Sequence, residues 1–238
     1  MLESQNLTPG GRVAGHDEIA AILGSEILSG ERQPGSKIGE EQLERFGASR
    51  VLLREVTKTL VAKGMVAAKS RVGTIVLRPE YWNWFDHDVL SWRVRLGLDR
   101  GFFRHLTQMR SAVEPATAAL AATERTDDDL KAMREAVAAM HGASDDRQAF
   151  ARADLAFHIA VAAASGNPLF RAFTGVVETA LGAYFTLSTP RESGAMRAIA
   201  ERHAAIADAI EAGDGEAAAR AMHVVIEEAV DHLSSGQR

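Results

Sequence analysis

Residues Ser49–Lys63, SRVLLREVTKTLVAK, carry apolar side chains at helical spacing, with Leu53, Val56 and Leu60 on one stripe and Leu52 and Thr59 flanking it. Ser49 is placed to cap the helix N-terminus. Arg50 and Arg54 are one turn apart, so both guanidinium groups leave the same face. A helix with an apolar back and two arginines near its start suits the major groove, where Arg bonds guanine bidentately or clamps phosphates. Upstream, Glu40–Phe46 reads as a short helix and Gly47-Ala48 as the turn, which gives a helix-turn-helix. Downstream, Met65–Ala68 and Thr74–Leu77 read as two short strands around the basic tip Lys69-Ser70-Arg71-Val72-Gly73, a wing.

Two arginines so spaced also describe an ordinary solvated helix face, and local charge separates the two readings. From Arg32 to Arg78 there are ten Lys and Arg against four acids, so the segment is +6 within a chain of net charge −5. A basic module on an acidic body is the electrostatic footprint of a polyanion partner.

Pro34-Gly35, Glu44–Arg50, Arg54-Glu55 and Gly64…Arg71-Val72-Gly73-Thr74 together resemble the winged helix-turn-helix of GntR-family transcription regulators. The resemblance covers roughly residues 18–78. It implies operator-DNA contacts by Arg50, Arg54 and Gly73, and the full expected DNA-binding set is Ser49, Arg50, Arg54, Arg71 and Gly73. The segment between Ile38 and Phe46 is one or two residues shorter than the family pattern, so no family contact is carried onto Glu40 or Glu41.

The chain has 238 residues, 46% hydrophobic and 25% charged, which allows one or two domains with a real core. It has no cysteine, which excludes disulfides and thiolate metal sites. No apolar run approaches the ~20 residues of a membrane span, and MLESQNLTPGGR has neither part of a signal peptide. A cytoplasmic protein is expected. Residues 1–15 are polar and punctuated by Gly and Pro, and read as disordered. Asp17–Ser29 is an amphipathic helix with Ile19, Ile22, Leu23 and Ile27 inward.

The domain boundary is expected at Arg78-Pro79, closing a DNA-binding domain over 16–78. Residues 79–98 follow as a linker and first helix. This segment holds all three Trp between Trp82 and Trp92. Large aromatics here could form a nucleobase platform or a cofactor box; packing at an interdomain seam or in the next core is the plainer reading. Its pattern resembles the galactonate-operon-repressor subgroup of the FadR-like branch.

From Asp99 onward the chain reads as helices near 100–124, 127–141, 146–165, 168–188, 192–212 and 214–233, broken at Gly142, Gly166-Asn167-Pro168, Thr189-Pro190 and Gly213-Asp214-Gly215. The expected fold is mainly α, a winged helix-turn-helix followed by an all-α antiparallel bundle over 99–238. Through Glu114-Pro115-Ala116, Asp154…His158, Gly166-Asn167-Pro168 and His203…Asp214 the bundle resembles the FCD-type ligand-binding domain of FadR-like regulators.

Polar residues on apolar stripes are the informative ones here. Asp154 and His158, one turn apart, lie beside Phe150, Ala153, Phe157 and Val161, and His203 shares a face with Ile199, Ile206 and Ile210. Singly, each reads as a hydrogen-bonded core residue. Together they suit a divalent metal (Zn, Ni or Mn) with oxygen and nitrogen ligands. The resemblance implies a further His ligand 22 residues after His203, where this chain has Val225; the nearest imidazole, His223, is two residues and a ~200° rotation away. Arg110 lies on the stripe Phe103, Leu106, Val113, Leu120. It needs an anion, either Glu114 one turn on or, as the resemblance implies, the carboxylate of an effector, with Asn167 near the same cavity. The implied function is a homodimeric regulator, a repressor of double-stranded operator DNA controlled by a small carboxylate such as a sugar acid, with no membrane partner. The alternative is a metal-dependent metabolite-binding protein or enzyme with an attached basic module; no nucleophile elbow, phosphate loop or separate general base supports catalysis.

Overall fold

The computed structural model describes residues 14–97, 99–143, 145–187 and 194–235, and divides into two compact units, 1–96 and 97–238. The expectation of disorder over 1–15 falls almost wholly outside the described residues, as does the Thr189-Pro190 break.

The first unit begins with α1 (His16–Leu28), β1 (Lys37–Ile38), α2 (Glu41–Phe46) and α3 (Arg50–Ala62). The wing strands β2 (Val66–Lys69) and β3 (Gly73–Val76) follow, then a 3-10 turn over Pro79–Tyr81 and α4 (His87–Arg95). Glycine closes α2: Gly47 takes a left-handed φ of 59°, so the chain reverses within two residues and α3 starts at once. The three strands form an antiparallel sheet in the order β1-β3-β2, with Ile38 opposite Thr74 and Lys69 opposite Gly73. β1 has only two residues, too few for an alternating pattern to announce it in the sequence.

Ile19, Leu23, Ile27, Val56, Leu60, Met65 and Val76 are buried together in this core. On α3 the inward stripe is Leu52, Val56 and Leu60, whereas Leu53 turns into the groove beside the wing. The expected stripe is thus rotated by one residue at its N-terminal end. Trp82, Val89 and Trp92 belong to the same core. α1 comes so close that a Cβ on Gly24 would lie 2.2 Å from ring carbons of Trp92. The aromatic cluster is therefore packing within the first unit. Lys63, at the end of α3, reaches the same segment, with Nζ 2.7 Å from both Asp86 Oδ1 and Asp88 Oδ2.

The second unit is helical throughout its described residues: α5 (Arg100–Glu124), α6 (Asp127–Gly142), α7 (Arg147–Ala164), α8 (Pro168–Ala172), α9 (Thr174–Leu187), α10 (Ala195–Glu211) and α11 (Gly215–Ser235). Met133, Met140, Phe150, Phe157, Ile206, Ile210, Met222 and Ile226 fill its core. The helix expected over 168–188 is two helices. Near Phe173 the Thr174 hydroxyl donates to the Arg171 carbonyl (2.9 Å), and such local side-chain bonds favour a turn over a continuing ladder. No helix among the described residues is long and apolar enough to cross a membrane.

Candidate functional site

Two places in the chain gather the residues singled out above, one in each unit.

In the first unit, Ser49 caps α3 by accepting from the Leu52 N–H at 3.1 Å. This bond fixes the first turn of the helix, which carries Arg50 and Arg54. Both arginines are exposed and line an open groove of about 750 Å³ between α3 and the wing, shared with Leu53, Lys58 and Gly73. Arg50 is lightly tethered to Glu40 at 3.3 Å, and Arg54 Nε lies 3.8 Å from Glu55 Oε1. Exposed pairs of this kind are worth little, so both guanidiniums are available to an anion. Arg71 sits at the wing tip with a φ of 62°, beside Gly73 with 97°; the tip is a tight turn that presents backbone as well as side chain. Arg71 is not among the groove-lining residues.

The basic surplus of this segment is not all outward. Arg32 and Arg45 both pair with the buried carboxylate of Glu26, and Lys63 is buried between Asp86 and Asp88. These three cations hold the unit together. The charge facing the groove comes instead from α3.

In the second unit, α5, α7 and α10 bring Arg110, Glu114, Asp154, His158 and His203 together, all buried. His203 Nδ1 donates to the Ile199 carbonyl at 2.8 Å, one helical turn back, which leaves the Nε2 lone pair facing inward. His158 Nδ1 lies 2.6 Å from Glu114 Oε2, without the alignment of a full hydrogen bond, and its Nε2 accepts from Arg110 Nη2 at 3.3 Å. The two Nε2 atoms and Asp154 Oδ1 form a triangle with sides of 2.8 Å (His203 to Asp154), 3.4 Å (His203 to His158) and 3.5 Å (His158 to Asp154). Asp154 Oδ1 is buried and receives no aligned hydrogen bond. Three lone-pair donors this close repel one another unless a positive charge lies among them.

That charge can be a proton on an imidazole or a small cation. Ligand atoms about 2.0–2.2 Å from one ion stand roughly 2.9–3.5 Å apart, so the triangle has the dimensions of one face of a coordination shell. The outer contacts fit as well: a carbonyl behind His203 holds that ring in the tautomer a metal needs, and a carboxylate stands 2.6 Å behind His158 Nδ1. Glu114 is thus the residue that sequence reading missed in this role. The signal was its place one turn after Arg110 on the same inward face, but its approach to His158 crosses 44 residues of chain.

The electrostatics follow from burial and pairing. Burial alone would raise the Asp154 pKa, yet His203 and then His158 outweigh it and hold that carboxyl well below the usual carboxylate range. Burial likewise opposes charge on Glu114, and the Arg110 guanidinium, helped by His158, holds its pKa down to about 2. For His158, burial lowers the pKa, but Glu114 and Asp154 more than offset it and raise it above the ordinary histidine value.

Arg110 is engaged with Glu114, Nε to Oε1 at 2.5 Å and Nη2 to Oε2 at 3.3 Å, the internal one of the two anions expected for it, where the resemblance implied an effector carboxylate. It also borders a small cavity of about 30 Å³ together with Asp154, His158, His203, Arg202 and Val225. Val225 stands in that wall, while His223 is on the exposed side of α11, paired with Glu227 at 3.0 Å. Asn167 caps α8 by accepting from the Leu169 N–H at 2.9 Å and does not line the cavity.

Comparison with known proteins agrees with this division. Residues 16–76 match the model of bacterial regulatory proteins of the gntR family, and residues 105–228 match the FCD domain. The galactonate operon transcriptional repressor of Escherichia coli is 32% identical over 88% of this chain and 93% of its own length. An uncharacterised HTH-type regulator of the same organism, YieP, is 34% identical over 87% of this chain and 90% of its own. A solved structure described as Lar, which controls expression of the Listeria monocytogenes agr system, shares the fold. Its TM-score is 0.63 at 18% identity, covering 94% of this chain and 99% of that one. Both Escherichia coli relatives are transcription regulators. The chain belongs to the GntR family of bacterial transcription regulators, in the FadR-like branch that carries an FCD domain.

Proposed function

We propose that this regulator binds operator DNA as a homodimer through Arg50, Arg54 and the wing at Arg71 and Gly73. Its helical unit takes a divalent cation on Asp154, His158 and His203, and a small carboxylate beside it. The reading of the effector as a sugar acid draws on the similarity to a galactonate-operon repressor. One observation carries the proposal: a buried carboxylate oxygen without an aligned hydrogen bond faces two imidazole nitrogens at a cavity wall. A bound cation would satisfy Asp154 Oδ1 and His203 Nε2, take over the His158 Nε2 lone pair from Arg110, and offer its remaining positions to ligand oxygens.

The chain's own residues prepare this. Glu114 and the Ile199 carbonyl fix the two rings, and Arg110 keeps Glu114 ionised in the interior. Val225 supplies no donor, so a cation here would depend on oxygens from outside the protein to fill its shell. The cavity of about 30 Å³ has room for water-sized groups, far below the roughly 300 Å³ at which pockets for larger ligands begin. An acid entering it must part the surrounding helices, and that movement is the means by which a ligand can change the grip on DNA.

The test is calorimetric titration of Mn²⁺ or Zn²⁺ with and without saturating D-galactonate, in the parent and in His203→Ala. Each should tighten the other by the same factor, because linkage is reciprocal, and His203→Ala should weaken both. Equal acid binding by chelator-stripped protein would refute the metal-assisted reading, leaving Asp154, His158 and His203 as a hydrogen-bonded core cluster.

A further inference from the structure

Beyond the buried cluster, the cavity wall also carries an ion pair between Arg202 on α10 and Glu228 on α11, with Nη1 2.8 Å from Oε2. We propose that Arg202 is the residue that recognises the effector's carboxylate, and that Glu228 is its built-in competitor. The incoming acid takes the place of the Glu228 carboxylate on the Arg202 guanidinium. This deepens the effector reading above and rests on it.

Among the described residues two arginines border the cavity, and their surroundings separate them. Arg110 is 3% exposed and fork-bonded to Glu114, itself 5% exposed. Its Nε and Nη2 are already spent on Glu114 and His158, which leaves no second two-pronged face of that kind for a ligand's carboxylate, and withdrawing them would strand a buried one. Arg110 is therefore a fixed part of the scaffold. Arg202 and Glu228 are different: their side chains are 36% and 32% exposed. A half-solvated pair is weak and exchangeable, because water and an incoming anion can each replace the partner.

The positions also fit one small molecule. Arg202 directly precedes His203, so it leaves α10 about 100° round from that buried ring and lies at the rim of the cavity, not in its depth. Val225 and Glu228 are three residues apart on α11 and share a face, apolar beside the cluster and acidic at the rim. A 2-hydroxy carboxylate matches this order. Its carboxylate meets the planar fork of Arg202, and its hydroxyl points toward Asp154, His158 and His203. The exchange also removes a tie between α10 and α11, so ligand binding loosens one specific helix contact.

The experiment is calorimetry of D-galactonate binding to the full-length, metal-loaded protein, comparing the parent with Arg202→Gln and Glu228→Gln. The neutral galactonamide serves as a second probe, and Mn²⁺ alone as a third. Removing the competitor should tighten galactonate roughly threefold or more in Glu228→Gln, and losing the fork should weaken it at least about tenfold in Arg202→Gln. The parent should prefer acid to amide, and Arg202→Gln should lose that preference. Mn²⁺ affinity measured alone should stay within about twofold in both variants, since neither residue belongs to the donor triangle. Glu228→Gln binding the acid no more tightly than the parent overturns the proposal, whatever Arg202→Gln does. Parent-like galactonate binding by Arg202→Gln overturns it too, and leaves the effector reading standing. A parent protein that binds neither D-galactonate nor any other four- to six-carbon aldonate overturns the effector reading, and this proposal with it.

Discussion

Arg50 and Arg54 are long, exposed cations whose partners among the described residues are surface acids, and this decides what their loss should do. Glu40 and Glu55 hold them loosely, so little folding free energy depends on either arginine. Replacing either with Ala should leave thermal stability nearly unchanged. It should weaken operator binding by on the order of 1–3 kcal/mol if the lost contact reads a base. Fluorescence anisotropy with labelled operator, repeated at several salt concentrations, separates the two kinds of contact. A phosphate contact lowers the salt slope by about one, whereas a base contact leaves the slope and relaxes sequence preference. Parent-like binding by both variants would show that α3 is not the reading helix.

At the scale of elements, the first unit depends on how closely α1 meets α4. Gly24→Ala adds a methyl where ring carbons of Trp92 already lie 2.2 Å from its position, so one helix must move. Overpacking of this kind costs about 1–3 kcal/mol, and more where backbone must shift. We expect Gly24→Ala to lower the denaturation midpoint of the first unit and leave the second unchanged. Two separate transitions, one moved and one not, would be the observation; a parent-like first transition would mean that α1 and α4 are less closely packed than described. The same unit should also be acid-sensitive through Glu26. Burial alone would raise the Glu26 pKa, but Arg45 and Arg32 hold it below its ordinary value of 4.5. A carboxylate with a lowered folded pKa contributes its stability in full above the unfolded value and loses it as pH falls through the folded one. Stability should therefore be flat with pH above about 5 and fall below about 4.5, and Glu26→Gln should flatten that fall while costing about 2 kcal/mol at neutral pH. Denaturant melts at pH 3.5, 4.5 and 7 measure both.

At the scale of the whole molecule, a single winged module offers few base contacts: two arginines on one helix and a wing tip. Specific DNA sites bury more surface than one small module usually supplies, and closed two-fold symmetry is the commonest solution. We expect sedimentation equilibrium to show a dimer, free and on DNA. The operator should be a pseudo-palindrome whose half-sites repeat at the spacing of two recognition helices. A monomer in both states would exclude this arrangement. The proposed effector control has a definite thermodynamic form: whatever factor an acid takes from DNA affinity, DNA must take from acid affinity. Measuring one predicts the other.

The sequence by itself determined the elements whose signals are local. The helix α3 was legible to within a residue, because Ser49, the arginine spacing and the apolar stripe lie within four turns of one another. Gly47 marked the turn and Lys69–Gly73 the wing, since a left-handed turn and a two-strand reversal each need particular residues at fixed offsets. That Asp154, His158 and His203 each face inward was also readable from their apolar stripes, and the resemblance implied that they meet, as they do. Tertiary structure alone decided which charges pair. Arg32, Arg45 and Lys63 count as basic surface in a sum over residues, yet folding sets each against an acid and takes it out of the DNA-facing total. The tryptophan segment went to the first core because Gly24 leaves room for an indole ring, a fit of shapes 68 residues apart in the chain. Glu114 behind His158 is likewise a matter of which helix lies against which. Periodicity tells which way a side chain faces along its own helix; only packing supplies the partner it meets there.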